Sequence, residues 1–381
     1  MAGIEPKDGE IRFPVGLAVH PGGRYLFVAS SNFDLLYNGS TVGVVDLTTN
    51  AYVPGHTVKV GSFAADLVVN DAGSTIFVPD RSSARVNVID VDLTASRFLS
   101  CSATTPAPGL LPTCASSNAI AVSQDPFSVA LLPQESFDGG TAPERLIVSH
   151  LRNGEVYVLE AADGGAARYN VVATQDFSDG TNAIAVRPDS DPSRRTVYVS
   201  HRFSNSLSTF RLIGDFLSPP APTRLVQTGI VSIRNPAGGL DTRGIAFNPS
   251  GTRAFFADRS PSSIVRLDTS LDTNGFETNR IVDVLAVGLG PASVNYVVGT
   301  GGARDLLYVP CFYSDEVWVL DADLFTVATV IQVGGGPYTF ALAPDKKRAY
   351  VANFRDSTIS VLDLDPTSQT YHRAISVIRT P

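Results

Sequence analysis

Short apolar segments that end in a small or polar residue recur along the chain at intervals of about 40 to 70 residues. The first segment is LFVAS at 26–30, and the last is AYVAN at 349–353. The other five are IFVPD (76–80), LIVSH (146–150), VYVSH (197–201), AFFAD (254–258) and LYVPC (307–311). A repeat of this length is typical of the blades of a β-propeller.

Each apolar segment has neighbours in a fixed order. Before it comes an apolar run closed by a turn, as in GLAVHPGG at 16–23. After it comes an alternating strand that ends in an acidic residue, as in EVWVLD at 316–321, and then a weaker strand such as VDVLAV at 282–287. Four short strands separated by turn residues form one antiparallel blade. The sequence therefore predicts an all-β, seven-bladed β-propeller of four-stranded antiparallel blades that occupies residues 1–381 as a single domain.

The last repeat carries a resemblance to a known family. AYVAN at 349–353 is preceded by GGGPYTFALAPD and followed by TISVLDL, and this order resembles the YVTN-type β-propeller repeat. The resemblance extends from Phe13 to Ile378, and blades three and six depart from it at Gln134 and Gly299. It implies the fold and says almost nothing about activity, because this family and its seven-bladed relatives include surface proteins, lactonases and cytochrome d1-like electron-transfer enzymes.

Composition narrows the classes of partner. The chain has 32 glycines and 25 prolines, enough turn residues for seven blades, and a formal charge of −8. We expect no nucleic-acid partner, because binding to phosphates needs an excess of Lys and Arg. We also expect no transmembrane segment, since no run of 18 apolar residues exists. The opening MAGIEPKDGE has no apolar leader and is interpreted as a trimmed mature end or an artificial start.

Two of the three cysteines indicate a compartment. Cys101 and Cys114 bracket the Pro-rich insertion SATTPAPGLLPT. A disulfide between them would stabilise the folded protein by about 3 kcal/mol, because it lowers the conformational entropy of the unfolded chain. It would also place the protein outside the reducing cytosol, in the periplasm, in the medium or on the cell surface. The alternative is a pair of unpaired thiols on a surface loop.

Propeller geometry predicts where the polar strand ends gather. The last residues of the seven apolar segments are expected on one face, followed by arginines and by residues from the connections between blades. The strand ends are Ser30, Asp80, His150, His201, Asp258, Cys311 and Asn353, and the residues that follow include Arg81, Arg152, Arg202, Arg259 and Arg355. The connections add Asp66, Phe127, Asn182, Arg243, Ser293 and Tyr338. The alternative is structural, because polar residues collect at turns and Asp–Arg pairs can tie neighbouring blades together.

An anion site is one hypothesis for this face. Paired guanidinium donors suit a carboxylate or a phosphate. The candidate ligand-binding residues are Arg81, Arg202, Arg243, Arg259 and Arg355, with Tyr338 and Phe127 as apolar walls. Asp80 and Asp258 either belong to the site or neutralise its arginines.

Metal binding is the other hypothesis for the same face. His150, His201 and Cys311 are ligand types that suit copper or zinc, although no HxH or CxxC spacing is present. The alternative is two hydrogen-bonded histidines and a small buried thiol. Asp268, Asp272, Asn274 and Glu277 are spaced somewhat like a calcium loop, or else belong to a solvated hairpin. No cofactor is predicted, and a transition metal or calcium is kept as an alternative.

Three functional classes follow. We favour an exported binding or interaction module whose partner is a protein or a small acidic ligand. A lactonase or lyase that uses acids and histidines of the same face is the second class, and a metal-binding redox protein is the third. YHRAISVI at 371–378 is expected to supply the outer strand of the last blade, with GEIRF at 9–13 alongside it to lock the two ends.

Overall fold

The computed structural model describes residues 3–101, 106–137, 140–162, 168–177, 180–204, 206–214, 221–232 and 241–380. These residues are almost entirely strands and turns. The helices in the described ranges are two short 3₁₀ segments, Ser116–Asn118 and Pro192–Arg194, and neither is long or apolar enough to cross a membrane. The prediction of an all-β protein is confirmed.

The strands form consecutive sheets. The first sheet contains β1 (Pro14–Val19), β2 (Tyr25–Ser30), β3 (Ser40–Asp46), β4 (Ala51–Tyr52) and β5 (Val58–Val60). The second contains β6 (Val68–Val69), β7 (Thr75–Asp80), β8 (Arg85–Val91), β9 (Leu99–Ser100) and β10 (Ala119–Ala121). In the third, β11 (Pro126–Leu132) is followed by a separate hairpin, β12 (Glu135–Phe137) and β13 (Gly140–Ala142), and then by β14 (Arg145–His150), β15 (Glu155–Ala161) and β16 (Tyr169–Asp176).

The remaining sheets have four strands each. The fourth contains β17 (Thr181–Val186), β18 (Thr196–His201), β19 (Ser206–Ile213) and β20 (Arg224–Ser232). The fifth contains β21 (Thr242–Phe247), β22 (Arg253–Arg259), β23 (Ser262–Asp268) and β24 (Arg280–Ala286). The sixth contains β25 (Asn295–Val297), β26 (Leu306–Cys311), β27 (Glu316–Asp321) and β28 (Thr326–Gln332), and the seventh contains β29 (Pro337–Leu342), β30 (Arg348–Asn353), β31 (Thr358–Asp363) and β32 (Arg373–Ile378).

This strand order confirms the seven-bladed β-propeller fold. Each predicted apolar segment is the second strand of its sheet and is buried along its length, as in β2 and β26. The first two sheets differ from the predicted four strands, because their outer strand is split. In the first sheet β4 and β5 both pair with β3, and in the second β9 and β10 both pair with β8. The insertions at 53–57 and 101–118 interrupt these two outer strands.

The chain divides into two compact units. Unit 1 contains Met1–Val129 and Ile331–Pro381, and therefore the first, second and seventh sheets. Its core lies between neighbouring sheets, where Phe27 packs with Ile76 and Val78, and Leu26 packs with Tyr350 and Val361. Alternating side chains of one strand thus serve two different interfaces, because successive residues point to opposite faces of the sheet.

Unit 2 contains Ala130–Val330. Its third and fourth sheets share a core of Ile147, Val158 and Phe210, and its fifth and sixth sheets share one that includes Phe255 and Val309. These residues are completely buried. The prediction of a single domain over 1–381 stays a prediction.

The disulfide loop of unit 1 covers a sheet edge. Cys101 and Cys114 are joined by a disulfide, with their Cα atoms 4.7 Å apart. The Lys59 N–H donates to the Pro112 carbonyl at 2.7 Å, and the Cys114 N–H donates to the Lys59 carbonyl at 2.9 Å. The loop therefore continues the hydrogen-bonding pattern beyond β5, the outer strand of the first sheet.

A left-handed residue precedes the first strand segment of every sheet. These residues have positive φ and are Phe13, Phe63, Asp125, Gly180, Asp241, Gly290 and Gly336. In six sheets the carbonyl of this residue accepts a hydrogen bond from the residue that follows the second strand or ends it, as in Arg259 N to Asp241 O at 3.2 Å and Phe354 N to Gly336 O at 2.9 Å. This contact fixes the backbone at the strand ends, where arginines and aromatic residues project.

The outermost strand pair is bulged in the third, fourth, fifth and seventh sheets. The shifts in register occur at equivalent positions, namely Val158/Leu159, Thr209/Phe210, Arg266/Leu267 and Val361/Leu362. The outer strands expose β-branched residues such as Ile230 on β20 and Val284 on β24. A bulge bends and twists such an edge strand.

Candidate functional site

The predicted strand-end residues are buried. Ser30, Asp80, His150, His201, Asp258, Cys311 and Asn353 all have little or no exposed surface. The accessible surface at this end of the sheets instead includes residues that follow them by up to three positions, such as Phe33, Phe203, Tyr313 and Arg355. We call these following residues, together with the left-handed residues bonded to them, the unit 1 rim and the unit 2 rim.

The three predicted metal ligands have separate partners. His150 Nδ1 lies 3.1 Å from the Glu155 carbonyl, and His201 Nε2 lies 2.7 Å from the Ser208 hydroxyl. The Cys311 thiol lies 3.4 Å from the Val309 carbonyl, and burial raises its pKa to about 12. In the described residues no three His, Cys, Asp or Glu side chains group as a metal site. The metal hypothesis stays an untested prediction, and this geometry does not support it.

In the segment whose spacing resembles a calcium loop, the acidic side chains bond to nearby protein groups. Asp272 Oδ1 accepts the Asn274 and Phe276 N–H groups at 2.8 and 3.0 Å, and Asp268 Oδ1 accepts from Ser270. Glu277 contacts Arg211 at 3.2 Å. These bonds are those of a hairpin loop stabilised by Asp side chains.

The two predicted acids differ in their partners. Asp80 forms an ion pair with Arg85 of its own sheet at 3.2 Å and accepts from Ser82 and Ser83. Asp258 accepts from the Ser260 N–H at 3.3 Å. Both carboxylates are buried beneath the rims. Asp80 therefore organises its own hairpin rather than an exposed site.

The unit 1 rim contains an aromatic cluster. The Phe13 ring centroid lies 6.0 Å from that of Phe33 and 5.1 Å from that of Phe354, and Tyr338 lies 6.2 Å from Phe354. Phe33 is 58% exposed. Arg355, which follows Phe354, is also exposed. The cluster presents apolar surface at the strand ends.

A second contact group of the unit 1 rim includes two predicted residues. The Arg81 guanidinium lies 5.3 Å from the centroid of Phe127 and forms an ion pair with Asp125. Asp125 is the left-handed residue before β11. Asp66, from a predicted connection, accepts the Ser128 hydroxyl at 2.9 Å, and burial raises the pKa of its carboxyl. An Asp–Arg ion pair therefore connects the second and third sheets, as predicted, but its acid is Asp125 rather than Asp80.

The unit 2 rim brings three predicted arginines to one carboxylate. Asp241 lies 3.3 Å from Arg202 Nε, 2.6 Å from Arg243 Nε and 3.9 Å from an Arg259 terminal nitrogen. Arg243 also donates from Nη2 to Asp241 Oδ2 at 2.8 Å. Arg243 is almost fully buried, whereas Arg202 is the most exposed of the three. Convergence of these arginines is the part of the anion hypothesis that the geometry supports.

Aromatic residues flank this group. The Arg202 guanidinium lies 5.7 Å from the Phe203 ring centroid, and that of Arg259 lies 5.4 Å from Phe312 and 5.6 Å from Tyr313. Phe203 is 56% exposed and Tyr313 is 61% exposed. Arginine over an aromatic face is a favourable contact that also holds the guanidinium in place.

Sequence reasoning missed Asp241 and the exposed aromatic residues. Asp241 occupies the same repeat position as Asp125, directly before a first strand, and this register could have identified both. Phe203 and Tyr313 follow the strand ends by two positions. Their exposure is a property of the turn and cannot be read from residue type.

No protein-family model matches the chain, and no curated protein matches it by sequence. Solved structures do match in fold. Hydrazine synthase of Kuenenia stuttgartiensis is 15% identical with a TM-score of 0.61, over 96% of this chain and 98% of that one. A Bacteroides fragilis protein, provisionally assigned as a 6-phosphogluconolactonase, is 15% identical with a TM-score of 0.59 over 84% of each chain. The β-propeller domain of Cps50 (Swd1) from Myceliophteria thermophila is 9% identical with a TM-score of 0.62, over 95% and 98%. This chain is thus a seven-bladed β-propeller, and the three solved structures that share its fold carry different names.

Proposed function

We propose that the protein is an exported interaction module that binds a protein partner at the strand-end rims. The observation that carries the proposal is the unit 2 rim, where exposed aromatic rings are stacked with arginines. Aromatic residues and arginine are the types most enriched among residues that dominate protein–protein binding energy. The aromatic cluster of the unit 1 rim supports the same proposal.

Export is proposed from the cysteines. The Cys101–Cys114 disulfide closes a loop on the surface of unit 1. Structural disulfides persist in oxidising compartments. We also propose that the repeats belong to the YVTN type, on the residues of the last repeat. Labelling the thiols in freshly opened source cells tests export: Cys101 and Cys114 should resist alkylation until a reductant is added, and rapid alkylation of both would contradict it.

A library of random peptides displayed on phage tests the interaction function. Selected peptides should bind the natural protein and lose binding to the double variant Phe203→Ala/Tyr313→Ala. The matched control is Val284→Ala/Leu324→Ala, which removes two exposed apolar side chains away from the rim. Equal loss in both variants, or no peptide whose binding depends on the rim, would contradict the proposal.

An activity assay distinguishes the lactonase class from the interaction module. His150 and His201 are completely buried and are bonded within their own sheets, so neither is placed to contact a substrate. We expect no hydrolysis of 6-phosphogluconolactone or of simple lactones above the uncatalysed rate. Turnover that disappears in His150→Ala/His201→Ala, with the fold retained, would move the protein to the enzyme class.

A further inference from the structure

A cleft lies between the first and seventh sheets of unit 1, at the end of these sheets opposite to the unit 1 rim. Its lining comes from the connections between strands at 20–24, 47–50, 343–347 and 364–372, and from the strands beside them. Its volume is about 840 Å³, which is within the range of small-molecule sites. We call it the turn cleft.

The charged side chains that line the turn cleft balance one another. Three are cations and three are carboxylates, namely Arg24, Lys347, Arg348, Asp345, Asp363 and Asp365. Asp46 adds one more carboxylate beside the lining and lies 2.8 Å from the Arg24 guanidinium. An incoming anion would meet at least as many carboxylates as cations. The cleft therefore gives an anionic ligand no electrostatic advantage.

Most of the carboxylates are already bonded to protein groups. Asp365 lies 3.0 Å from Lys347 Nζ. Asp363 accepts the Ser368 and Thr370 hydroxyls at 2.5 Å each. These bonds hold the walls of the cleft in place and occupy the carboxylates that a cationic ligand would need. The ligand class that suits the turn cleft is therefore polar and uncharged.

Arg348 and Asp345 keep hydrogen-bonding atoms for a ligand. Both side chains are exposed at one turn. Asp345 Oδ1 accepts the Lys347 N–H at 2.9 Å, whereas Oδ2 has no hydrogen-bond partner in the part of the chain that the structure describes. Arg348 hydrogen-bonds to the Tyr350 hydroxyl, and no carboxylate among the described residues pairs with it. The cleft thus offers one planar donor group and one carboxylate acceptor that are three positions apart.

Apolar side chains line the same cleft. Ile375 on β32 is 40% exposed, and Pro344 is also exposed. Small-molecule sites typically combine such an apolar surface with a few polar groups that fix the orientation of the ligand. A ligand that matches this lining carries hydroxyl groups and an apolar C–H face.

We infer that the turn cleft binds a neutral saccharide whose hydroxyl groups donate to Asp345 and accept from Arg348. A sugar suits both side chains, because each of its hydroxyls is a donor and an acceptor. Neighbouring hydroxyls on the ring also match the paired atoms of a guanidinium or a carboxylate. Saccharide binding would be a second function beside the partner binding proposed for the rims, because the turn cleft lies at the other end of the sheets.

An array of immobilised oligosaccharides, some neutral and some containing uronic acids, tests this inference with the full chain. We expect binding to at least one neutral oligosaccharide. The binding should change little between low and high salt, because salt screens charged contacts and a neutral ligand has none. Binding to no oligosaccharide, or only to those with uronic acids, would overturn the inference.

Calorimetric titration with a neutral oligosaccharide from the array tests the location. Asp345→Ala/Arg348→Ala keeps the net charge and should weaken binding at least about tenfold, the effect of losing a hydrogen bond to a charged group. The matched control is Arg280→Ala/Asp283→Ala, which removes the same two charges from exposed positions on β24 and should bind like the natural protein. Equal affinities for the two double variants would overturn the inference.

A variant that fills the turn cleft gives an independent test. Thr48 lines the cleft and is exposed, so Thr48→Trp places an indole in the cleft without entering the core. We expect this variant to lose saccharide binding and to unfold at a temperature close to that of the natural protein. Full binding by Thr48→Trp would show that the saccharide binds elsewhere.

Discussion

The Ile11 N–H donates a 2.8 Å hydrogen bond to the Thr380 hydroxyl, and this hydroxyl contacts the Ile11 carbonyl at 3.4 Å. The two residues are 369 positions apart. Ile11 also belongs to the buried cluster that contains Ile378 and Tyr350. The segment 9–13 therefore joins the seventh sheet through Ile11 and through Phe13, whose N–H donates to the Ser357 hydroxyl at 3.1 Å and whose ring lies 5.1 Å from that of Phe354. It does not form the strand that the sequence suggested.

Loss of the buried Ile11 side chain should lower stability. Ile11→Ala removes a side chain that is 2% exposed, and we expect the free energy of unfolding to fall by about 2–4 kcal/mol. Deletion of residues 1–13 should lower the melting temperature further. Ile4→Ala is the control, because Ile4 is 64% exposed and its loss should change the free energy by less than about 0.5 kcal/mol. Similar values for both variants would show that packing of the Ile11 side chain does not stabilise the protein.

Removal of the disulfide should also destabilise the protein. The double variant Cys101→Ala/Cys114→Ala frees a loop with a sequence separation of 13, and we expect a loss of about 3 kcal/mol. Denaturant unfolding with and without a reductant measures it. The reductant should lower the midpoint of the natural protein to that of the variant and leave the variant unchanged, so a further drop in the variant would point to another cause.

His372 should make stability depend on pH. Burial lowers the pKa of His372 to about 4, whereas the unfolded chain has a value near 6.5. As pH falls from about 6.5 to about 4, the unfolded state takes up a proton that the native state does not. The free energy of unfolding therefore decreases across this window, on the order of 1 kcal/mol because the residue is only partly buried.

The matched variant for this effect is His372→Asn. His372 has φ of 60°, a conformation that Asn tolerates. Urea midpoints at pH 7 and pH 4.5 should differ less in the variant than in the natural protein. Some slope should remain, because burial also lowers the pKa of His20 and of His56. Identical slopes would exclude His372 as a source.

Gly244 should be sensitive to a single methyl group. A Cβ at Gly244 would lie 2.9 Å from the Ser293 Cα and 3.1 Å from the Val294 nitrogen, both backbone atoms of the segment that leads into β25. We expect Gly244→Ala to cost about 1–3 kcal/mol. Gly229→Ala is the comparison, since its Cβ would meet only the Thr209 hydroxyl, at 3.2 Å. Thermal unfolding of the two variants distinguishes them, and equal melting temperatures would disprove close packing at Gly244.

The repeated strands could be predicted because their signal is strong and local. In AFFAD, a five-residue apolar segment closed by a polar residue, Phe255 and Phe256 are both completely buried on opposite sides of one strand. The split outer strands could not be predicted in the same way. Whether residues 53–57 interrupt a strand or follow it depends on pairing with β3, which is a tertiary contact.

The candidate site was predictable only in part. Repeat positions placed Arg202, Arg243 and Arg259 together, and Asp241 connects them. The same reasoning predicted His150 and His201 on an accessible face. In the structure both are buried and form hydrogen bonds within their own sheets. A strand's final residue and the next one share a repeat position, but a turn sends their side chains to different environments.

The bulges of the outer strand pairs have a consequence for behaviour in concentrated solution. Outer strands such as β24 expose valine side chains and unpaired backbone groups, which in a flat strand would recruit an identical strand from another molecule. The irregular register at Arg266/Leu267 bends this edge. Two copies cannot then align their edges without straightening both strands. The molecule can thus keep aliphatic surface at its periphery and still resist the edge-to-edge growth that leads to fibres.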